Sequence, residues 1–405
     1  MERIGERRIR ASAAESLWRP SLFNRRTLWA ALFLGGVVWA LAQAGLFQRE
    51  LVNPGGWTLA LRFAGALLHP ELSPAFLGLT LDAALTTLAF AVSAVFLSTL
   101  FGFFGGILAS QVWWQSLLSA ERTGWRTPWL LARSPLAALR AVHEVIWGLF
   151  FINVIGLNPL SAILAIAIPF GAIIAKVFSE ILDESPRQPL NALLNSGVSA
   201  PKAFVYALLP QAFSDFLSYS FYRFECAIRS AAVLGIIGAG GLGYQIFLSL
   251  QTLKYEQIWT LLFALFLLNG LADFWSSLLR RRIGGGVRCA GDCLDREGVQ
   301  GRASPHRGAP IRDPLVRASL VIASLLVPLS FLYIGPDVGA LFSASSAQHL
   351  GEVARSAFPP NFDALSLEGW LAGSGVTLAM SLLAVAGAGA LGLALSFPAA
   401  NNLSL

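Results

Sequence analysis

The chain has 405 residues, of which 55% are hydrophobic and 13% are charged, and its formal net charge is +6. A typical soluble domain is about 25% charged, so this composition excludes an ordinary soluble enzyme and a disordered chain. It favours a protein with several membrane spans, in which excess arginine marks cytoplasmic loops and is no sign of nucleic-acid binding.

The apolar stretches predict the membrane spans. Residues 1–27 form a basic arm that lacks the short apolar run of a secretory signal, and we expect it to be retained. Each of the stretches that follow is long enough to cross about 30 Å of hydrocarbon. They lie at about 28–47, 79–109, 141–157, 158–179, 212–238, 256–279, 315–335 and 374–398. The sequence therefore predicts an all-α, polytopic transmembrane helical bundle with about eight spans.

The positions of the charges predict the orientation. If the N-terminus is inside, the loops at 110–140, 180–211 and 280–314 are inside as well. They carry Arg122, Arg126, Arg133, Arg140, Arg187, Lys202 and the run Arg280–Arg282. The opposite loop at 336–373 has four acidic residues against Arg355. Because positive charge collects in cytoplasmic loops, we expect a cytoplasmic N-terminus.

A segment of the chain recurs at an offset of 290 residues. Thr87-Leu88-Ala89 returns as Thr377-Leu378-Ala379, and Gly102 returns as Gly392. Two unrelated helices rich in small residues would look alike too, but the same offset also places the first span over the seventh. The pattern favours parallel copies of one membrane domain. We predict a six-span domain at 28–282, a cytoplasmic linker at 283–313 and a partial, two-span copy at 314–405, either truncated or degenerate.

The most specific signal lies in the predicted cytoplasmic loop at 187–211. Its core reads NALLNSGVSAPKAFVYALLP over residues 191–210. A helix-compatible run meets Gly197, which favours a conformation that a Cβ resists, and Pro201 suits a first helical turn. We expect two short helices at an angle on the inner membrane surface, where a soluble partner could bind them.

This loop resembles the coupling loop of the membrane permeases of ABC importers, whose pattern is E-A-A, three residues, G, nine residues, I, one residue, L-P. Ala192, Gly197, Leu209 and Pro210 match the pattern at the corresponding spacing. Asn191 stands where the family has Glu, so a charged contact to an ATPase is in doubt; Leu193 and Ala207 also depart from the pattern.

Other segments are similar to permeases of the phosphonate and related phosphorus-oxyanion importers. The similar segments are Tyr222–Gly243, Arg140–Phe151 and Lys176–Glu184, and the resemblance covers about 80–283. It implies a transport subunit of the bacterial inner membrane, not an enzyme, with no cofactor on this chain. The implied partners are cytoplasmic ABC ATPase subunits that bind ATP, a periplasmic substrate-binding protein, a second permease domain from this or another chain, and the lipid bilayer that surrounds the spans.

The fifth span carries ionisable residues, which are functional candidates because charges inside a bilayer are costly. Glu225 and Arg229 are spaced for an intrahelical ion pair. Either the charges form structural pairs, or Arg223 or Arg229 faces the pathway and attracts an oxyanion. With these we group Ser230 and a predicted periplasmic gate formed by Gly238, Gly240, Gly241 and Gly243.

Other charged residues have expected structural roles. Lys176 and Glu180 are expected to form an anchoring pair, and His143 and Glu144 to lie near the inner interface. The chain has no Gly-Lys-Ser/Thr phosphate loop, so another subunit must supply ATP hydrolysis. Import of another small solute, such as an amino acid or a quaternary amine, and secondary transport without an ATPase both stay open. A non-functional truncation product is a third alternative.

Overall fold

The computed structural model describes residues 24–45, 54–118, 123–283, 313–357 and 364–399. The predicted basic arm up to residue 23 and the linker at 284–312 lie outside the described residues. Fifteen α-helices and no strand occur in the described ranges. The helices are α1 (Arg25–Gln43), α2 (Pro54–Ala66), α3 (Pro74–Ala109), α4 (Gln111–Leu117), α5 (Arg126–Ala141), α6 (Glu144–Ile155), α7 (Pro159–Glu184), α8 (Gln188–Asn195), α9 (Ala200–Ala207), α10 (Leu209–Leu234), α11 (Gly241–Gln251), α12 (Tyr255–Ile283), α13 (Pro314–Ile334), α14 (Ala344–Ala357) and α15 (Ala364–Ala399).

The all-α membrane architecture predicted from hydropathy is confirmed. Among the described residues, five helices are long and apolar enough to cross a membrane: α3, α7, α12, α13 and α15. Two bent pairs, α5 with α6 and α10 with α11, raise the number to seven if each pair is one span. The first predicted stretch, at about 28–47, corresponds to α1, whose apolar part at Thr27–Gln43 is shorter than a full span.

The third predicted span differs most from the expectation. It consists of α6 alone, which has 12 residues and covers only about 18 Å. The preceding segment, expected to be a loop, forms α5, and the two helices meet at an angle of 90°. Val142 and His143 are extended at the bend, and Trp147 Nε1 donates to the Leu139 carbonyl across it. Hydropathy depends on residue composition and carries no information on the direction of a helix axis, so the sequence did not predict this bend.

Helices α3 and α7 form the centre of the bundle. Gly102 lies against Ile174, and Gly106 lies against Phe178 one turn further along both helices. The two helices therefore run parallel, and small residues allow their backbones to approach closely. The predicted break between the third and fourth spans is also present, because the Asn158 side chain accepts from Leu160 N and begins α7.

The helix bounds agree with the predicted repeat. Both ends of the 36-residue α3 and the 36-residue α15 differ by the offset of 290. By contacts, the chain divides into one unit of residues 1–60 and 356–405 and another of residues 61–355. Helix α1 packs on α15 in the first unit, and α13 packs on α3 in the second. By the offset of 290, α1 and α3 belong to the first predicted copy, and α13 and α15 belong to the second. Each of the two contacts therefore joins a helix of one copy to a helix of the other. The boundaries of the copies stay a prediction.

Candidate functional site

The predicted coupling loop forms two short helices, α8 and α9, joined at Gly197. Val198 N donates to the Leu193 carbonyl at 3.1 Å and Gly197 N to the Leu194 carbonyl at 3.0 Å. This is the Schellman arrangement, which requires a residue with positive φ just after the helix. Gly197 has a φ of +82°, as its position in the sequence led us to expect.

The inner face of this helix pair is anchored in the bundle. Leu190 of α8 and Phe204 and Leu208 of the following helix and turn are almost completely buried. They pack with Phe178 and Phe216, whose rings stack at 4.0 Å between centroids. The surface formed by α8 and α9 is therefore continuous with the packed ends of α7 and α10.

Asp183, near the end of α7, fixes the neighbouring helix α4. Its carboxylate accepts from Ser110 Oγ at 2.7 Å, from Val112 N at 3.1 Å and from Gln111 N at 3.2 Å. A carboxylate at this position satisfies the free N–H groups of a helix start. Trp113 of α4 then packs edge-on against Phe204 at 5.0 Å, so the anchoring reaches the coupling helices.

The outer face of the helix pair is open. Asn191, Ala192 and Gly197 are exposed, and Pro210 is exposed at the start of α10 while Leu209 is half-buried. The sequence pattern missed two neighbours, Val205 and Tyr206, and the latter is 77% exposed. Once Phe204 is assigned to the core, the helical period places Val205 and Tyr206 on the open side. We call the exposed set Asn191, Ala192, Gly197, Lys202, Val205 and Tyr206 the coupling surface.

Arg223 of α10 lies among aromatic rings. Its guanidinium carbon is 5.3 Å from the Phe170 ring centroid, 5.2 Å from that of Tyr219 and 5.8 Å from that of Tyr222. Its Nε donates to the Tyr219 hydroxyl at 2.8 Å. No carboxylate among the described residues pairs with it within 4.0 Å. Its charge is therefore held by π faces and a hydroxyl, without neutralisation by an acid.

Arg229 is paired, in contrast. Its NH2 lies 3.1 Å from Glu225 Oε1, and the Glu225 side chain is only 16% exposed. Lys176 and Glu180 form the expected pair at 3.0 Å, and Arg133 of α5 approaches the same carboxylate at 3.8 Å. The structure thus distinguishes Arg223 from Arg229, which the sequence had given as alternative anion-binding candidates: Arg229 has a carboxylate partner, and Arg223 lies among aromatic rings.

Ser230 is joined to the bend between α5 and α6. Its hydroxyl donates to Glu144 Oε1 at 2.8 Å, and His143 Nε2 lies 3.5 Å from the other carboxylate oxygen. His143 caps the start of α6, and Glu144 is the first residue of that helix, at the bend with α5. That both residues lie near the inner interface stays a prediction.

The glycines after α10 serve a turn and a close helix contact. Gly238, Gly240 and Gly241 have φ values of +97°, +98° and +75°, which only glycine adopts easily. A Cβ at Gly243 would collide with the Ala232 carbonyl of α10. The Leu242 N–H donates to Thr87 Oγ1 of α3 at 2.9 Å, which ties the turn to the centre of the bundle.

The model of the family described as "Binding-protein-dependent transport system inner membrane component" matches residues 63–285, just over half of the chain. The phosphite transport system permease protein PtxC of Stutzerimonas stutzeri is 30% identical over 151 residues, which are 37% of this chain and 55% of that protein. The putative phosphite transport system permease protein HtxC of the same organism is 28% identical over 251 residues, 62% of this chain and 83% of that protein. The chain thus spans about half the length of PtxC.

One solved structure similar to the chain is the inward-facing MetNI methionine ABC transporter. Its identity is 20% and its TM-score 0.45, over 52% of this chain and 99% of that chain. Since the family model covers more than half of the sequence and the described helices include several of spanning length, the chain belongs to the family of inner membrane components of binding-protein-dependent transport systems, as a multi-pass protein of that membrane.

Proposed function

We propose that this chain is the permease subunit of an ABC importer that carries phosphite, phosphonate or a related phosphorus oxyanion. Arg223 supports the proposed substrate class most directly, because it is a positive charge inside the helical bundle with no carboxylate within 4.0 Å in the part of the chain that the structure describes. The planar guanidinium fork meets two oxygens of a phosphorus oxyanion at once. The names of PtxC and HtxC support the same class.

The coupling surface is proposed to bind a cytoplasmic ATPase subunit. Its exposed side chains stand on helices whose other face is locked into α4, α7 and α10. A push on this surface would therefore move the ends of these helices as a unit. Asn191 supplies no negative charge, so we expect Tyr206 and Val205 to provide contact area in place of a charged contact.

The direction of transport follows from the proposed orientation. The N-terminus and the coupling surface lie in the cytoplasm, and the glycine turn at 235–241 faces the periplasmic binding protein. ATP binding on the partner subunits closes them against the coupling surface. The bend at Glu144 and the turn at Gly238 are the places where the pathway helices change direction, and we propose that they open and close the route past Arg223 toward a second permease domain.

The substrate class is tested by ATPase stimulation. The full chain is reconstituted with its ATPase and binding protein, and hydrolysis is measured with phosphite, methylphosphonate, methionine or glycine betaine. We expect phosphite or methylphosphonate to stimulate ATP hydrolysis, and methionine and glycine betaine to have no effect. Stimulation by methionine or glycine betaine and by neither phosphorus compound would contradict the proposed substrate.

A further inference from the structure

A large apolar cavity lies among four helices of the unit formed by residues 61–355. Its volume is about 560 Å³, and it is walled by α3, α10, α12 and α13. Representative wall residues are Val95 and Phe96 of α3, Phe224 of α10, Trp275 of α12, and Ala323 and Val327 of α13. It lies apart from the coupling surface, and none of its wall residues belongs to the proposed pathway or gate.

The cavity opens to the surface of the bundle, and its wall is almost entirely apolar. Water therefore gains few hydrogen bonds there. A buried water needs two to four polar partners. Ser220 and Ser324 on the wall donate to carbonyls of their own helices. Of the four buried polar side-chain atoms without a partner among the described residues, two lie on this wall, the hydroxyls of Thr99 and Ser276. An apolar wall of this kind favours a hydrocarbon occupant.

The bilayer supplies that hydrocarbon directly. Helices α12 and α13 meet at one end of the cavity, where Trp275 Nε1 donates to Ser319 Oγ at 3.0 Å and Leu279 packs on Val316. Beside the cavity their outer faces are apolar and exposed, as at Phe274 and Leu325. In a spanning helix such faces contact lipid, so an acyl chain is the nearest occupant.

A basic cluster stands one turn beyond this contact. Arg280, Arg281 and Arg282 end α12. Arg280 lies 3.8 Å from Asp273 and Arg282 lies 3.6 Å from Asp313, whereas Arg281 has no acid within 4.0 Å among the described residues. Three arginines thus face two aspartates. Basic residues next to a span attract anionic lipid headgroups, by about 1 kcal/mol for each Lys or Arg near the surface.

We propose that the cavity holds one acyl chain of an anionic phospholipid whose phosphate binds the Arg280–Arg282 cluster. Ser276 and Arg280 are one helical turn apart, about 6 Å along α12, so a lipid bound at the arginines can reach the cavity with its tail. The lipid would fill the space between α13 and the other three helices and hold α13 against the bundle.

Lipid retention by the purified full chain tests the proposal. The protein is delipidated, mixed with equal amounts of dioleoylphosphatidylglycerol and dioleoylphosphatidylcholine, and bound lipids are counted by native mass spectrometry. Ala323→Trp and Ala272→Trp fill the cavity from two different helices, and each should retain one lipid fewer than the native chain. Leu325→Trp, on the exposed face of α13, is the matched control and should retain the native number.

The headgroup is tested in the same mixture. Replacing Arg280 and Arg281 by Gln should lower the ratio of retained phosphatidylglycerol to phosphatidylcholine about 30-fold, since each of the two basic residues near the surface contributes about 1 kcal/mol. A phosphatidylglycerol with a photoreactive acyl chain should label residues 272–276 and 320–327 of the native chain. Native lipid numbers in both cavity-filling variants, or labelling confined to other segments, would overturn the proposal. Neither result depends on transport, so this inference can fail independently of the proposed function.

Discussion

At the scale of single residues, the two membrane arginines have different surroundings. Arg229 lies on the same helix face as Glu225, and sequence spacing alone predicted that pair correctly. The rings around Arg223 come partly from another helix, because Phe170 belongs to α7. Spacing within one helix carries no information on such a contact, so the sequence could nominate Arg223 but could not separate it from Arg229.

We therefore predict that Arg223→Gln raises the KM for phosphite uptake about 10- to 100-fold, since hydrogen bonds to a charged group contribute about 1.5–3 kcal/mol. Arg223→Lys should raise the KM less, because lysine keeps the positive charge and lacks only the planar guanidinium group that binds two oxygens at once. Arg229→Gln is the contrasting variant and should lower the amount of folded protein, since it leaves the Glu225 carboxylate unpaired, with the KM little changed. An unchanged KM in Arg223→Gln would show that Arg223 does not bind the anion.

Gly197 offers a second prediction at this scale. A Cβ there would meet no atom within 4 Å, so a substitution is strained only by the φ of +82°. Gly197→Val should strain the turn by about 1–3 kcal/mol and displace the coupling surface. We expect loss of ATPase co-purification and of uptake, whereas Gly197→Asn should keep most of both because Asn tolerates positive φ. Equal activity of the two variants would argue against a conformational role for this glycine.

At the scale of helices, small residues decide which elements touch. The sequence could predict the positions of the long apolar helices, since hydropathy depends on local composition. It could not predict the directions of the helix axes, as at the 90° bend before Glu144. The glycines after α10, predicted as a gate, have different local roles: Gly243 makes the close contact with α10, and Gly238 and Gly240 form the turn.

The contact between α10 and α11 leads to a stability prediction. Gly243→Ala places a methyl group against the Ala232 carbonyl, so the two helices must separate. Overpacking of this kind costs about 1–3 kcal/mol, and we expect a lower midpoint of thermal unfolding in detergent. Gly270→Ala in α12 is the control, because a Cβ there meets nothing within 4 Å. A loss of stability as large in the control as in Gly243→Ala would remove the packing explanation.

At the scale of the whole molecule, the internal repeat stays a prediction. An offset of 290 residues would pair α1 with α13 and α3 with α15. The sequence suggested this pairing through Thr87 and Thr377. It could not indicate which copy each helix packs against, because that choice depends on contacts between distant segments.

The proposed orientation can be measured on the intact chain. Cys226, Cys289 and Cys293 are first replaced by Ser, and single cysteines are then introduced at Lys202 and at Gln348, both exposed in the structure. A membrane-impermeant maleimide should label position 348 in spheroplasts and position 202 only after permeabilisation. The opposite pattern would reverse the orientation and place the coupling surface on the wrong side for a cytoplasmic ATPase.

The central claim is that this chain moves a phosphorus oxyanion under the control of an ATPase. The most direct measurement is uptake of phosphite into vesicles that contain the full chain with its ATPase and binding protein, with and without ATP. We predict uptake that requires ATP, is suppressed by excess methylphosphonate but not by methionine, and is lost in Gly197→Val. Phosphite uptake that proceeds without ATP and is unaffected by Gly197→Val would contradict the account.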